Sequence, residues 1–355
     1  MLGFDPKAAR SVWTAAVVVV ILFLVYLARR TLFIFILAVL LAYLISPLVN
    51  LLDRYLPMQR TRTAALALAY VIFIGALVLL GFEVGTTVAD QAKALEAKLP
   101  VMIQQWEAPS PGAPALWNSL KAEMLQRARE EIVHGGSSLL AAATSAGLKF
   151  VTIASDAIYV VVIPILAFFF LKDASAIRQH VLDLVDAGPR RILADDLMAD
   201  IHLLLAHYMR ALVVLSLAAF TAFSIAFAIL GVPYGVLLAA LAGLLEFIPM
   251  IGPLTSGIII VAVSLLSSSN VLLVLIFLLV YRVFQDYILS PHLMGQGVEV
   301  HPLLVLFGVF SGAEIAGVPG AFLSVPVLAL IRIFYLRIRK ARMESKLAHP
   351  EPVKL

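Results

Sequence analysis

Cysteine is absent from the 355 residues, which excludes disulfide staples, thiolate metal sites and cysteine nucleophiles. Charge is scarce as well. Only 14% of the chain is charged and 62% is hydrophobic, whereas soluble globular chains carry about 25% charged residues. Ten-residue strands of alternating polarity are missing, so a membrane barrel is not expected. No Gly-x-x-x-x-Gly-Lys-Ser/Thr occurs, which argues against an intrinsic ATPase, and His-Glu-x-x-His and Gly-x-Ser-x-Gly are missing too. Gly295-Gln296-Gly297 lacks the third glycine of a dinucleotide fingerprint. His202 and His207 stand five apart, off the spacing that suits a metal, and read as polar-face residues. The expectation is a non-enzyme with no cofactor and no metal.

What the chain does have is long apolar runs, with a mean hydropathy of +1.02. Several exceed the roughly 18 residues that suggest a spanning helix. The fold class expected is all-α: a polytopic helical membrane protein of about eight membrane segments. N-terminal segments occupy 1–82, with spans near 11–28, 31–52 (interrupted by Pro47) and 63–82. Residues 83–149 carry six Lys/Arg and seven Asp/Glu and are punctuated by Pro100, Pro109, Pro111 and Pro114. They read as an extramembrane helical insert, in which Val88, Ala92, Leu95 and Leu99 share one face. A fourth span covers 150–171 and contains Pro164. Residues 172–208 read as a cytoplasmic amphipathic helical region, with Leu193, Leu197, Ile201, Leu204 and Tyr208 at helical spacing. A C-terminal membrane core fills 209–335, and 336–355 form a basic tail. From Arg332 onward seven Lys/Arg face two Glu, which places that end in the cytoplasm by the positive-inside rule. Nucleic-acid binding is the weaker reading of that tail. Lys7, Arg10 and the Arg54–Arg62 loop fall on the same side if both termini are cytoplasmic; Arg29-Arg30 does not.

The most irregular apolar stretch runs from Gly231 to Pro253. Pro233, Pro249, Pro253 and Gly252 break it, and it holds one acid, Glu246. Proline removes a backbone donor, and in lipid the freed groups must be satisfied by protein or by water in a cavity. Residues 303–335 share the design: Gly317-Val318-Pro319-Gly320 echoes Gly231-Val232-Pro233, and Pro326 follows. Such pairs suggest an internal repeat of two helical hairpins, with kinked continuous spans as the alternative. Glu246 has two readings, a group that binds a cation or proton and a cap on a broken helix end. Arg282 and Asp286 can pair at i,i+4, with Gln285 beside them. Ser290 to Gly295, with Pro291, reads as a loop. Glu314 and Asp156 read as loop or cap residues.

These motifs together resemble the autoinducer-2 exporter family of bacterial membrane proteins, the PerM-like permeases. The resemblance is carried by Pro164–Asp173, Leu230–Tyr234, Glu246–Pro253, Ser290–Gly295, His301-Pro302-Leu303, Gly317–Gly320 and Val325-Pro326, in the family's order. A departure lies at Arg210-Ala211-Leu212, where a Gly-Gln pair is expected after the arginine. The resemblance implies a cytoplasmic helical stretch before the fifth span, homo-oligomers of the pentameric kind and an elevator-like mechanism. It also implies export of a small polar solute such as autoinducer-2, or sodium(lithium)/proton antiport.

The function expected is therefore an ATP-independent transporter in the bacterial inner membrane. Glu246, Pro249, Gly252, Pro253, Gln285 and Asp286 form its substrate or ion path. Gly231, Pro233, Pro291, Gly317, Pro319, Gly320 and Pro326 are its structural breaks. Its partners are a small polar solute or a monovalent cation or proton, the lipid bilayer and further copies of itself. A non-transporting membrane scaffold is the reading from another class.

Overall fold

The computed structural model describes residues 6–55, 62–107, 123, 157–267, 270–294 and 301–348. The insert beyond residue 107 lies outside them, with the prolines at 109, 111 and 114. So do the start of the fourth span with Asp156, the Gly295–Gly297 turn and the end of the tail.

The described residues are helical throughout their length, apart from short turns. In chain order the helices are α1 (Pro6–Leu27), α2 (Arg29–Tyr55), α3 (Arg62–Glu107), α4 (Ala157–Lys172), α5 (Ala174–Asp183), α6 (Pro189–Leu230), α7 (Gly235–Leu245), α8 (Ile251–Leu266) and α9 (Val271–Phe284). A π-helical segment, Gln285–Leu289, then leads into α10 (Ser290–Met294), and α11 (Pro302–Ala348) follows. Five helical stretches are long and apolar enough to cross a membrane, and four shorter apolar helices accompany them. This is a polytopic helical membrane protein.

Two helices outrun the bilayer. At about 1.5 Å per residue, the 46 residues of α3 and the 42 of α6 reach roughly twice the 30 Å hydrocarbon core. The amphipathic stretch ending at Tyr208 is thus no separate element; it is the first half of α6, continuous with the apolar half. Likewise α3 runs on through Pro100, so the first part of the insert is the end of a membrane helix. Its Leu95 and Met102 are buried against α6, α7 and α8. Pro47, Pro164 and Pro326 are also helix-interior residues. Each costs one hydrogen bond, and packed neighbours in a membrane bundle tolerate that loss.

The apolar halves meet in three clusters. One joins α2, α3 and α4 through Ile45, Leu66, Ala69 and Ala167. A second joins α6, α7, α8 and α9 through Phe223, Phe227, Leu238, Ile260 and Val274. The third brings α2, α6 and α11 together at Leu40, Tyr208, Leu212 and Val325. On the polar side, Arg337 of α11 donates to Asp200 at 2.6 and 2.8 Å and to Asp196 at 2.8 Å. Two acids one helical turn apart thus hold one guanidinium fork.

Both broken stretches are chain reversals. At the first, α6 ends at Gly231 (φ 65°), and the Val232 N–H donates to the Phe227 carbonyl at 2.9 Å, a Schellman closure. Tyr234 (φ 59°) then starts α7, whose Gly235 comes so near Phe227 that a Cβ would stand 2.9 Å from its Cβ. The 11 residues of α7 and the 16 of α8 span about 17 and 24 Å, short of the bilayer core. At the second, α11 leaves helical geometry at Ala316 and Gly317 (φ 64°, ψ −147°). Gly308 faces Leu328 and Gly312 faces Gly320, so the two arms of α11 lie antiparallel. Pro319 and Gly320 sit just past this reversal, at the start of the second arm.

The conformation of Gly317 is one that only glycine adopts readily. Gly317→Ala is expected to lower stability by about 1–3 kcal/mol. Gly257→Ala, in a helix with open space around the added methyl, is expected to raise it by about 0.5–1 kcal/mol. Thermal melting of both variants in nanodiscs checks the contrast.

Candidate functional site

The tip of the α7–α8 hairpin, Glu246 to Met250, is built under tight constraint. The Ile251 N–H donates to the Pro249 carbonyl at 2.8 Å, closing a γ-turn over Met250 at φ 66°, ψ −52°. This positive-φ form is strained and rare. Two residues on, a Cβ at Gly252 would overlap the Leu245 carbonyl oxygen, so only glycine lets α8 turn back against α7. Pro253 lies in the first turn of α8, where its missing N–H costs nothing. Deeper in the hairpin the Gly243 carbonyl accepts from the Ser216 hydroxyl at 2.7 Å, which pins α7 to α6 through a small-residue contact.

Glu246 follows the last residue of α7 and is 8% exposed. It stands at the carbonyl end of that helix, where the dipole disfavours a carboxylate, and α8 has no side-chain cap. The capping reading of Glu246 therefore gives way. Its side chain instead accepts a 2.7 Å hydrogen bond from the Gln285 carboxamide, itself 4% exposed. Among the described residues Glu246 makes no ion pair.

Gln285 opens the π-helical segment. The Ser290 N–H reaches back five residues to the Gln285 carbonyl. Pro291 has no N–H to give the preceding turn, and the wider π turn bridges the place where the α pattern fails. Ser290 to Met294 is accordingly helix and not loop, and Pro291 shifts register without ending the helix. π segments of this kind concentrate at functional sites.

The residues grouped from the sequence therefore part company. Glu246 and Gln285 come together, with Pro249, Gly252 and Pro253 shaping the hairpin beside them. Asp286 turns away to Arg282 at 2.8 Å, and that pair is nearly half exposed. Glu314 is exposed in the first arm of α11, just ahead of its break. His202 and His207 are occupied by the Tyr43 hydroxyl and the Leu203 carbonyl.

Two neighbours were not picked out by sequence reasoning. Phe247 meets Phe322 edge-on at 6.0 Å, joining the hairpin tip to the second arm of α11. Gln91 of α3 accepts from the Leu237 N–H at 2.9 Å, supplying an acceptor for the otherwise uncapped start of α7. A glutamine in the first polar stretch beyond an apolar run carries no signal for a contact across 146 residues.

Comparison with known proteins settles the relationship: the pattern of the AI-2E family transporter matches residues 15–340. The chain belongs to the AI-2E transporter family. It is similar over 96% of its length to YueF of Bacillus subtilis (strain 168), which bears the provisional name of a transport protein, at 24% identity and 97% coverage of that protein. PerM of Escherichia coli (strain K12), provisionally named a permease, is 26% identical over 83% of this chain and 84% of its own. A provisionally named transport protein of Mycobacterium tuberculosis, MT0215, reaches 32% identity over 45% of this chain and 44% of its own. In this AI-2E family chain the buried Glu246–Gln285 pair belongs to a membrane transporter.

The pair predicts an asymmetry. Gln285→Leu leaves a buried carboxyl without its donor and is expected to cost about 1–3 kcal/mol. Glu246→Gln keeps an acceptor in place and is expected to stay within about 1 kcal/mol of the parent. Melting of both proteins in nanodiscs measures the difference.

Proposed function

We propose that this protein is a secondary, ATP-independent transporter of a small polar solute, with its binding site at the tip of the α7–α8 hairpin. The observation that carries the reading is the buried Glu246–Gln285 pair. An acid at membrane depth is costly and marks a transport path, and here it lies at the end of helices too short to cross. Glu246 supplies the exchangeable charge and Gln285 holds it when empty. The strained turn at Pro249–Ile251 and the close-packed Gly252 set its position. The two hairpins move against the long helices in an alternating-access, elevator-like step. The setting proposed is the bacterial inner membrane, with both termini cytoplasmic and the chain assembled as a homo-oligomer. The family resemblance supports an autoinducer-2-like signal as the solute class.

A second reading, a sodium(lithium)/proton antiporter, is favoured by one observation: Glu246 has a neutral partner and no ion pair among the described residues, which suits exchange of a proton for a monovalent cation. Proteoliposomes with a trapped pH-sensitive dye separate the two, since sodium or lithium pulses move protons only in the antiporter.

For the main reading, a solute panel is offered to proteoliposomes with and without a proton gradient. Wild-type protein is expected to move one solute class in a gradient-dependent way, and Glu246→Gln to lose at least tenfold of that flux, or about 1.4 kcal/mol. Equal flux and equal gradient dependence in the variant would refute the role of Glu246.

A further inference from the structure

The wall beside this site contains a polar atom that the pair does not use. Tyr281 is 7% exposed, and its hydroxyl is buried with no hydrogen-bond partner among the described residues. The ring is firmly held, with Phe223 edge-on at 4.9 Å, Phe277 at 6.0 Å and Phe284 at 6.5 Å. Burying an unpaired hydroxyl costs on the order of 1–3 kcal/mol. A phenylalanine, as at the neighbouring positions 223 and 277, would fill the same space without that cost. The oxygen is therefore the part of Tyr281 that packing does not explain.

Its placement points to Glu246. Tyr281 stands one helical turn before Gln285 on the same face of α9, and Gln285 reaches Glu246 from that face. The Gln285 N–H donates to the Tyr281 carbonyl, so a regular α turn relates the two residues and stacks their side chains on one face. Arg282 and Asp286, the charged residues on the same stretch, pair with each other at 2.8 Å.

We propose that Tyr281 is the third polar group of the Glu246 site, its hydroxyl donating to an oxygen atom that in turn donates to the carboxylate. The ligand chemistry is an O–H group, which can accept from a phenol and donate to a carboxylate through one atom. A water molecule and a hydroxylated solute share it. The proposal rests on the reading of Glu246 as the binding group. It makes the site a carboxylate, a carboxamide and a phenol, with the phenol selecting for oxygen at one point.

The test is infrared difference spectroscopy of the full-length protein in nanodiscs, between acidic and alkaline buffer. The Glu246 carboxyl band is the one that Glu246→Gln removes. Tyr281→Phe is expected to shift that band and to stay folded, since it keeps the ring and its aromatic contacts. Tyr287→Phe, at a tyrosine 78% exposed on the following turn, is expected to leave the band in place. Tyr281→Phe removes the phenol's own O–H stretch, which does not move in heavy-oxygen water; a second O–H stretch altered by the substitution moves there if water supplies the atom and stays if a co-purified solute does, and either result supports the proposal. A Glu246 band unshifted in folded Tyr281→Phe overturns the proposal and leaves the reading of Glu246 standing. If no Glu246-dependent band exists, that reading fails and the proposal with it.

Discussion

A buried carboxyl group has to be met by something, and in this protein Gln285 meets Glu246. Much of the C-terminal half is arranged to permit that one hydrogen bond. The chain must turn back between α7 and α8 so that Glu246 is presented at the hairpin's tip. Gln285 is still placed by the regular turn of α9, so its carboxamide faces inward while Asp286, the next residue, faces Arg282. A regular helix turns about 100° per residue, so one position decides between the interior and the rim.

The hairpin can hold its tip there because its packing surfaces are nearly bare backbone. Gly252 lies on the Leu245 carbonyl, Gly243 on α6 and Gly235 on Phe227. Helices in lipid gain little from apolar contact alone and associate through close approach and internal hydrogen bonds. The second hairpin uses the same solution, with Gly312 against Gly320 and Gly308 under Leu328. The strained turn at Met250 persists because the flanking contacts leave the chain no relaxed alternative.

Much of this architecture was legible in the sequence. The apolar runs marked the helices, and the clusters of glycine and proline at 231–233 and 317–320 marked both reversals. The separation Arg282 to Asp286 gave their ion pair. The continuity of α3 and α6 was not legible, because a change from polar to apolar composition marks a change of surroundings and leaves the backbone free to continue. Proline misled in the same way: Pro47 and Pro326 each remove a single donor, and the bundle absorbs the loss. The Glu246–Gln285 contact spans 39 residues, and no local pattern of polarity announces a partner so far along the chain. Tyr281 was hidden for a different reason. In a sequence an aromatic residue at helical spacing among apolar ones reads as core, and only its unpaired hydroxyl sets it apart from Phe277.

The two hairpins are not independent. Phe247, the residue after Glu246, rests on Phe322 of the second arm of α11, and that same arm continues to Arg337, which is held by Asp196 and Asp200 of α6. The far end of α6 in turn carries the Schellman closure from which α7 hangs. A displacement of the Glu246 tip therefore has to be accommodated at Phe322, and the aromatic contact there buries area without a directional bond, so sliding costs less than at the Arg337 fork, where three charge-assisted bonds fix both distance and angle. Motion of the tip against α11 is thus easier than motion of α11 against α6. In the alternating step proposed above, that ordering would put the joint at the pair of phenylalanines and leave the long helices as the frame.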